Sequence, residues 1–228
     1  MTAIEELKRQ AAERAVEYIQ SGMVVGLGTG STAVFAVRRI GALLAAGQLQ
    51  RVVGIPTAEV TAREAERLGI PLGTLDEHPT VDVTIDGADE IDPHLNLIKG
   101  LGGALLREKI VAAASRRFIV VADESKRVEQ LGTRAPVPVE VVPFARRPVA
   151  GYLASLGARV IERRQDGQPF ITDEGNIILD CHFAGLPNPQ EMAQLIRAQP
   201  GVVEHGMFLG MATEAIVAGK RGIIVLER

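Results

Sequence analysis

Apolar residues recur at a helical period near the start of the chain, at Ile4, Leu7, Ala11, Ala12, Ala15, Val16 and Ile19. They predict a helix that Gly22 ends. Met23–Leu27 is then a short, almost wholly apolar run, and Ala33–Leu44 returns to the helical pattern. Val52–Ile55 predicts a second strand, and Ala58–Leu68 a polar amphipathic helix with Gly69 as its C-cap. Val81–Ile85 and Phe118–Ala122 predict further strands, with an apolar helix between them at 104–114. Uninterrupted apolar strands alternating with helices imply βαβ units and a parallel sheet covered on both faces.

The pattern changes near Leu131, where Pro136, Pro138, Pro143 and Pro148 punctuate the chain. Beyond it the segments predict strand 137–142, helix 149–156, strands 158–162 and 176–181, helix 189–198 and strand 202–205. That order, β-α-β-β-α-β, is the split βαβ arrangement. The turn residues Asp173-Glu174-Gly175-Asn176 predict an antiparallel pairing of 159–164 with 177–180. Two short runs in the tail, 215–217 and 222–226, are expected to rejoin the first sheet. The expected organisation is therefore a catalytic domain from 1–131 and 206–228, with 132–205 inserted as a second domain.

Composition narrows the class. An apolar content of 46% with 23% charged residues is that of a globular chain, and the net charge of −3 is mixed along its length. No basic stripe points to nucleic acid and no apolar run of about 20 residues points to a membrane. The single cysteine, Cys181, excludes an internal disulfide and suits a reducing cytoplasm; the charged start carries no secretory signal. Cys181 is expected in the core of the second domain.

The stretch Thr84–Lys109 does not fit a plain core. Asp86, Asp89, Glu90 and Asp92 crowd together straight after a strand, then Lys99 precedes a turn built on Gly100, Gly102 and Gly103. So many ionisable groups between a buried strand and a buried helix are costly unless they line a cleft. Gly87-Ala88 keeps the backbone slim there, although a solvated acidic turn is the simpler alternative. In the helix that follows, Arg107, Glu108 and Lys109 fan over about 200° of an otherwise apolar surface. The cations can extend to solvent, which makes Glu108 the best candidate for a base, although from this helix alone a surface Glu paired with a neighbouring cation is the favoured reading. The turn Gly28-Thr29-Gly30-Ser31-Thr32 stands between a strand and a helix start, where backbone N–H groups and hydroxyls form an anion site; the alternative is a tight turn capped by Ser31 or Thr32. A dinucleotide fingerprint is not met, because the sixth position is Ser31 or Ala33 and the next strand ends in Gly54-Ile55-Pro56 without an acid. Lys126, at another strand end, is either a phosphate ligand or an exposed turn lysine. Of four scattered histidines only His94 lies beside the acidic turn.

Four ordered motifs, Gly28–Ala33, Asp86–Asp92, Lys99–Ala112 and Ala122–Lys126, together resemble the type A ribose-5-phosphate isomerase family. The second and third, D-G-A-D-E and K-G-x-G-G-A-L-x-R-E-K-I, are long and specific. The resemblance implies an α/β fold, a Rossmann-like open parallel sheet domain with an inserted ferredoxin-like α+β lid. It implies an aldose–ketose isomerase of the non-oxidative pentose phosphate pathway that interconverts ribose 5-phosphate and ribulose 5-phosphate with no cofactor and no metal. A homodimer, or alternatively a homotetramer, is expected. Glu108 is implied as proton acceptor, with Asp86, Asp89 and Lys99 catalytic. Thr29, Gly30, Ser31, Thr32, Asp86, Gly87, Ala88, Asp89, Lys99, Gly100, Leu101, Gly102 and Lys126 are implied to line the substrate site, and Lys8 is a further phosphate candidate by position. Leu101 stands where the family commonly has glycine and Leu106 where it has threonine. Lys99 and the amides of the glycine turn are expected to stabilise enediolate oxygens. Asp86 or Asp89 is expected to shuttle protons for ring opening and between O1 and O2.

Overall fold

The computed structural model describes residues 2–228. In chain order its elements are α1 (Ala3–Val16), β1 (Val24–Leu27), α2 (Ala33–Ala45), β2 (Val53–Pro56), α3 (Glu59–Arg67), β3 (Val83–Gly87), β4 (Glu90–Ile91), β5 (Leu97–Ile98), α4 (Leu105–Ala113) and β6 (Phe118–Asp123). They continue with β7 (Val137–Val141), α5 (Arg146–Ser155), β8 (Arg159–Glu162), β9 (Arg164–Gln165), β10 (Gln168–Pro169), β11 (Ile177–His182), α6 (Pro189–Ala198), β12 (Val202–His205), β13 (Met207–Phe208), β14 (Glu214–Gly219) and β15 (Gly222–Glu227). No helix among the described residues is long and apolar enough to cross a membrane.

The first unit comprises the chain up to Ala88, Arg107–Lys126 and Met211–Arg228. Its six-stranded sheet has the order β2-β1-β3-β6-β14-β15, parallel throughout except for the antiparallel edge strand β15. This is a doubly wound, Rossmann-like sheet whose strand order reverses between β1 and β3, the place where such sheets bind ligands beyond their strand ends. Val25, Leu27, Val83, Ile85, Ile119 and Val121 face a core shared with α1, α2 and α3. Val24 faces the other side, where Val111 of α4 packs with Ile55 and Val81. Side chains alternate along a strand, so Thr84 and Asp86 project toward the face that α4 covers. Thr84 bears this out, its hydroxyl lying 2.6 Å from that of Ser115, just after α4.

The strand expected at 81–85 lies two residues later. Neighbouring β6 extends the parallel ladder through Asp86↔Val120 and Gly87↔Val121, so Asp86 ends a strand rather than opening a loop.

The second unit comprises Asp89–Leu106 and Arg127–Gly210. Its main sheet, β12-β7-β11-β8, is antiparallel and carries α5 and α6 against Val137, Val139 and Val141, the ferredoxin-like arrangement. Cys181 is buried in this core, and burial pushes its thiol up to about 12, so it stays protonated and inert. The division departs from the sequence expectation at 89–106, 127–131 and 206–210. Two-residue strands β4, β5 and β13 form a separate three-stranded sheet that ties 89–106 to the end of the inserted segment. Strands that short leave no periodicity to read.

Glu140 on β7 is buried, with Oε1 accepting from the Thr172 hydroxyl and the Asn176 amide, each at 2.9 Å. Its Oε2 has no hydrogen-bond partner among the described residues. Burial pushes this carboxyl above its ordinary value of 4.5, against the pull of those two bonds. A raised carboxyl pKa means that the folded state prefers the proton. Its stabilisation is therefore complete below the unfolded value and is lost as pH rises through the folded one. Urea unfolding should show Glu140→Gln gaining on the wild type as pH climbs above 4.5; a pH-independent difference between the two would contradict this assignment.

Candidate active site

In the first unit the chain leaves β1 through Gly28, whose N–H donates to Ile85 O at 3.0 Å. A Cβ at Gly28 would come within 2.3 Å of Asp86 Oδ1 and 2.4 Å of Ile85 O, so this close crossing admits only glycine. The next N–H, that of Thr29, donates to Asp86 Oδ1 at 3.0 Å, and Gly87 N donates to the same oxygen at 2.7 Å. Asp86 is thereby fixed, fully buried, at the reversal point of the sheet.

Gly30 takes a positive φ of 111° and turns the backbone into α2. Thr32 occupies the N-cap position, as the tight-turn reading expected, but makes no side-chain capping bond. The N–H groups of Gly30, Ser31, Thr32 and Ala33 meet no acceptor among the described residues. Open N–H groups at the positive end of a helix dipole are what an anion site requires. Lys8 reaches this turn from α1, its Nζ 2.9 Å from Ser31 Oγ. The Thr29 hydroxyl turns away, bonded to Thr57 at 2.8 Å and Thr61 at 2.7 Å, so Thr29 acts through its backbone. Lys126 lies past the carboxyl end of β6 in a 3-10 turn, half-buried, and Asp123 Oδ1 caps that turn by accepting from Ser125 N at 3.0 Å.

Within α4 the three charges separate as their 100° spacing predicts. Arg107 extends to Glu59 at 2.8 Å and Ile110 is exposed, whereas Glu108 is buried, only 4% exposed. Since α4 covers the face toward which Asp86 projects, Glu108 and Asp86 lie on the same side of the sheet.

In the second unit β4 and β5 form a hairpin pairing Glu90 with Ile98. One position further the register sets Asp89 opposite Lys99, and Asp89 N donates to Ile98 O at 2.8 Å. Lys99 is buried, its Nζ 5.4 Å from the centre of the Phe208 ring. The turn after it is held from several sides. Lys99 N donates to Gly206 O at 2.8 Å, Leu101 N to Asp89 Oδ2 at 3.0 Å, and Gly103 N to Gly100 O at 3.0 Å. Gly100 and Gly103 have φ of 99° and 87°, and a Cβ on Gly103 would press into the Phe170 ring. Two of the glycine-turn amides expected to face an oxyanion, those of Leu101 and Gly103, are thus already engaged, which leaves those of Gly100 and Gly102.

The acidic run accepts main-chain N–H groups throughout. Glu90 accepts from Gly132, Arg134 and Ala135 N–H at 2.6 to 2.7 Å, and Asp92 accepts from His94 and Asn96 N–H at 2.8 Å. Both are loop anchors, and His94 is exposed above one of them. Asp86 and Asp89 also accept main-chain N–H groups, Asp86 from Thr29 and Gly87 and Asp89 from Leu101.

Sequence reasoning missed Arg163. From the end of β8 it forms a bidentate pair with Asp180, its Nε 2.9 Å from Oδ2. One guanidinium nitrogen also donates to Gly100 O at 2.8 Å and Leu101 O at 3.0 Å. It therefore clamps the glycine turn. Its only sequence signal was position, one arginine among twenty at a strand end.

Residues 53–222 match the family model for ribose 5-phosphate isomerase A, also called phosphoriboisomerase A. The chain belongs to that family. A ribose-5-phosphate isomerase A of Roseiflexus castenholzii is 60% identical over 221 residues, covering 96% of this chain and 94% of the relative. A solved D-ribose-5-phosphate isomerase in complex with phospho-erythronic acid superposes with a TM-score of 0.97 at 40% identity, covering 100% of both chains. The ribose 5-phosphate isomerase of Plasmodium falciparum gives 0.96 at 42% identity, covering 99% of each chain.

Proposed function

We propose that this chain interconverts ribose 5-phosphate and ribulose 5-phosphate by moving one proton between C2 and C1, with Glu108 as the base. The observation that carries the reading is the burial of Glu108, alone among three consecutive charges of α4, on the side of the sheet that Asp86 faces. Membership of the family and the phospho-erythronic acid bound by a relative support it. That acid presents a planar carboxylate where an enediolate would present its two oxygens.

In this reading the phosphate enters the concave amides of Gly30–Ala33, with Lys8 and Lys126 adding charge and Thr29 setting the turn. Gly87 and Ala88 line the slim backbone that follows Asp86. Asp89, Lys99, Gly100, Leu101 and Gly102 are further substrate residues by the family motifs that carry them. Glu108 takes the proton from C2 of the aldose, the enediolate forms, and Glu108 returns the proton to C1. Lys99 offsets the negative charge on the enediolate oxygens. Asp86 and Asp89 are the groups to pass the hydroxyl proton between O1 and O2 and to open the ring. The reaction is an internal redox exchange with no net electron change, so it calls for no nicotinamide. The working form is proposed to be a homo-oligomer.

The test is the appearance of ribulose 5-phosphate from ribose 5-phosphate with purified protein dialysed against EDTA. No product, or product only after magnesium or manganese is added back, would refute the reading. In the same assay Lys8→Ala and Lys126→Ala should each raise KM by about 10- to 100-fold with little change in kcat, the scale of one charge-assisted hydrogen bond. An unchanged KM would remove that lysine from the phosphate site.

A further inference from the structure

On the stripe of α4 turned toward the sheet, Glu108 is followed by Val111, Ala112 and, just past the helix end, Ser115. Positions i, i+3, i+4 and i+7 share one helix face. Val111 packs with Ile55 and Val81, an apolar contact that has no preferred direction. The Ser115 hydroxyl is directional. It donates to Val111 O at 2.6 Å, which uses its one proton. The Thr84 hydroxyl, 2.6 Å from Ser115 Oγ, is therefore the donor of the bond they share. Thr84 is fully buried on β3, two residues before Asp86 and on the same face. A chain of two hydroxyls thus runs from the strand that ends at Asp86 to the helix turn that follows Glu108.

Strand β1 makes room for this chain. Gly26 is buried and has no positive φ. A Cβ on it would run into Thr84 Oγ1 and come within 2.8 Å of Val111 Cγ1. Glycine is needed here for close approach, not for the path of the backbone. Main-chain bonds from Val81 N to Ala114 O and from Arg116 N to Val81 O, each at 2.9 Å, hold the end of α4. They leave the roll of the helix about its own axis to its side chains. A side chain about 6 Å from the axis moves by about 1 Å for a roll of about 10°.

We propose that the Thr84–Ser115 hydroxyl pair, seated over Gly26, is the positioning element that sets the roll of α4 and with it the place of Glu108. The proposal rests on the reading of Glu108 as the base. Thr84 and Ser115 act through the helix rather than on the substrate, so their loss falls on kcat and spares KM.

Isomerase kinetics on single and double variants test this. Thr84→Val and Ser115→Ala should each lower kcat about tenfold, short of the 100-fold or so that a misplacement of about 1 Å can cost, with KM within about twofold. The variant carrying both changes should be no slower than either alone, because the same bond is lost in all three. Thr84→Ser keeps the hydroxyl and should stay within about threefold of the wild type. In a Glu108→Gln background Thr84→Val should cost no further kcat, since no base remains to be misplaced. Wild-type kcat in folded Thr84→Val and Ser115→Ala would overturn the proposal. So would losses that add in the double variant, or a tenfold loss that persists beside Glu108→Gln. Glu108→Gln at the wild-type kcat would refute the base itself, whereas a slow Glu108→Gln beside fast hydroxyl variants refutes only the positioning. Should Thr84→Val fail to fold, Ser115→Ala, at a half-buried position, decides by the same comparisons.

Discussion

Glu108→Gln is expected to fold and bind as the wild type does while losing at least about 100-fold in kcat, the low end of what a positioned base contributes. Glutamine keeps the length and shape of the side chain, so the α4 packing around it is preserved. The amide cannot accept a proton from carbon. KM should move little, because the proposed phosphate contacts lie with Lys8, Lys126 and the amides at the start of α2. The sharper readout is exchange of the C2 proton with deuterated water. Exchange and isomerisation share the enediolate, so both should fall together. Exchange at the wild-type rate would pass the role of base to Asp86, the other carboxylate on that face of the sheet.

The parts of this molecule legible in the sequence are those whose signal is local. The βαβ alternation is written in apolar runs and helical periods, and the strands of both sheets came within about two residues of their places. Three consecutive charges cannot share one stripe of an apolar helix, which showed that one of them must turn inward; that it is Glu108 rested on the motif around it. The open amides of the turn at Gly28–Thr32 were legible because glycines between a strand and a helix leave N–H groups without main-chain partners.

The illegible parts depend on distant partners. Glu90 and Asp86 are both acids in one short run, and nothing in their spacing separates them. Glu90 becomes a loop anchor only because residues 132–135 fold back over it. The Thr29 hydroxyl looked like a ligand for substrate until Thr57 and Thr61 claimed it. The sheet of β4, β5 and β13 draws together pieces about a hundred residues apart, each too short to show a period.

Arg163 is the clearest case of a residue that acts at a distance in sequence, and its loss should cost nearly as much as that of the base. The guanidinium does two things at once: it balances Asp180 and it holds the carbonyls of Gly100 and Leu101. Those carbonyls belong to the turn that carries Lys99 and the amides of Gly100 and Gly102. A displacement of about 1 Å in a positioning element can cost about 100-fold in rate. Arg163→Met should therefore lower kcat by that order. It also strands a largely buried Asp180, and breaking such a pair typically destabilises a fold by about 3–5 kcal/mol. The double variant Arg163→Met, Asp180→Asn separates the two effects, since no uncompensated charge remains. Its unfolding midpoint should recover toward the wild type, whereas its kcat should stay near that of Arg163→Met. Arg163→Lys should resemble the double variant in rate, because one ammonium cannot serve a carboxylate and two carbonyls in the planar geometry of a guanidinium. If the double variant recovered both stability and rate, Arg163 would be no more than the counterion of Asp180. The turn would then be held by Asp89, Gly206 and the Phe170 ring alone.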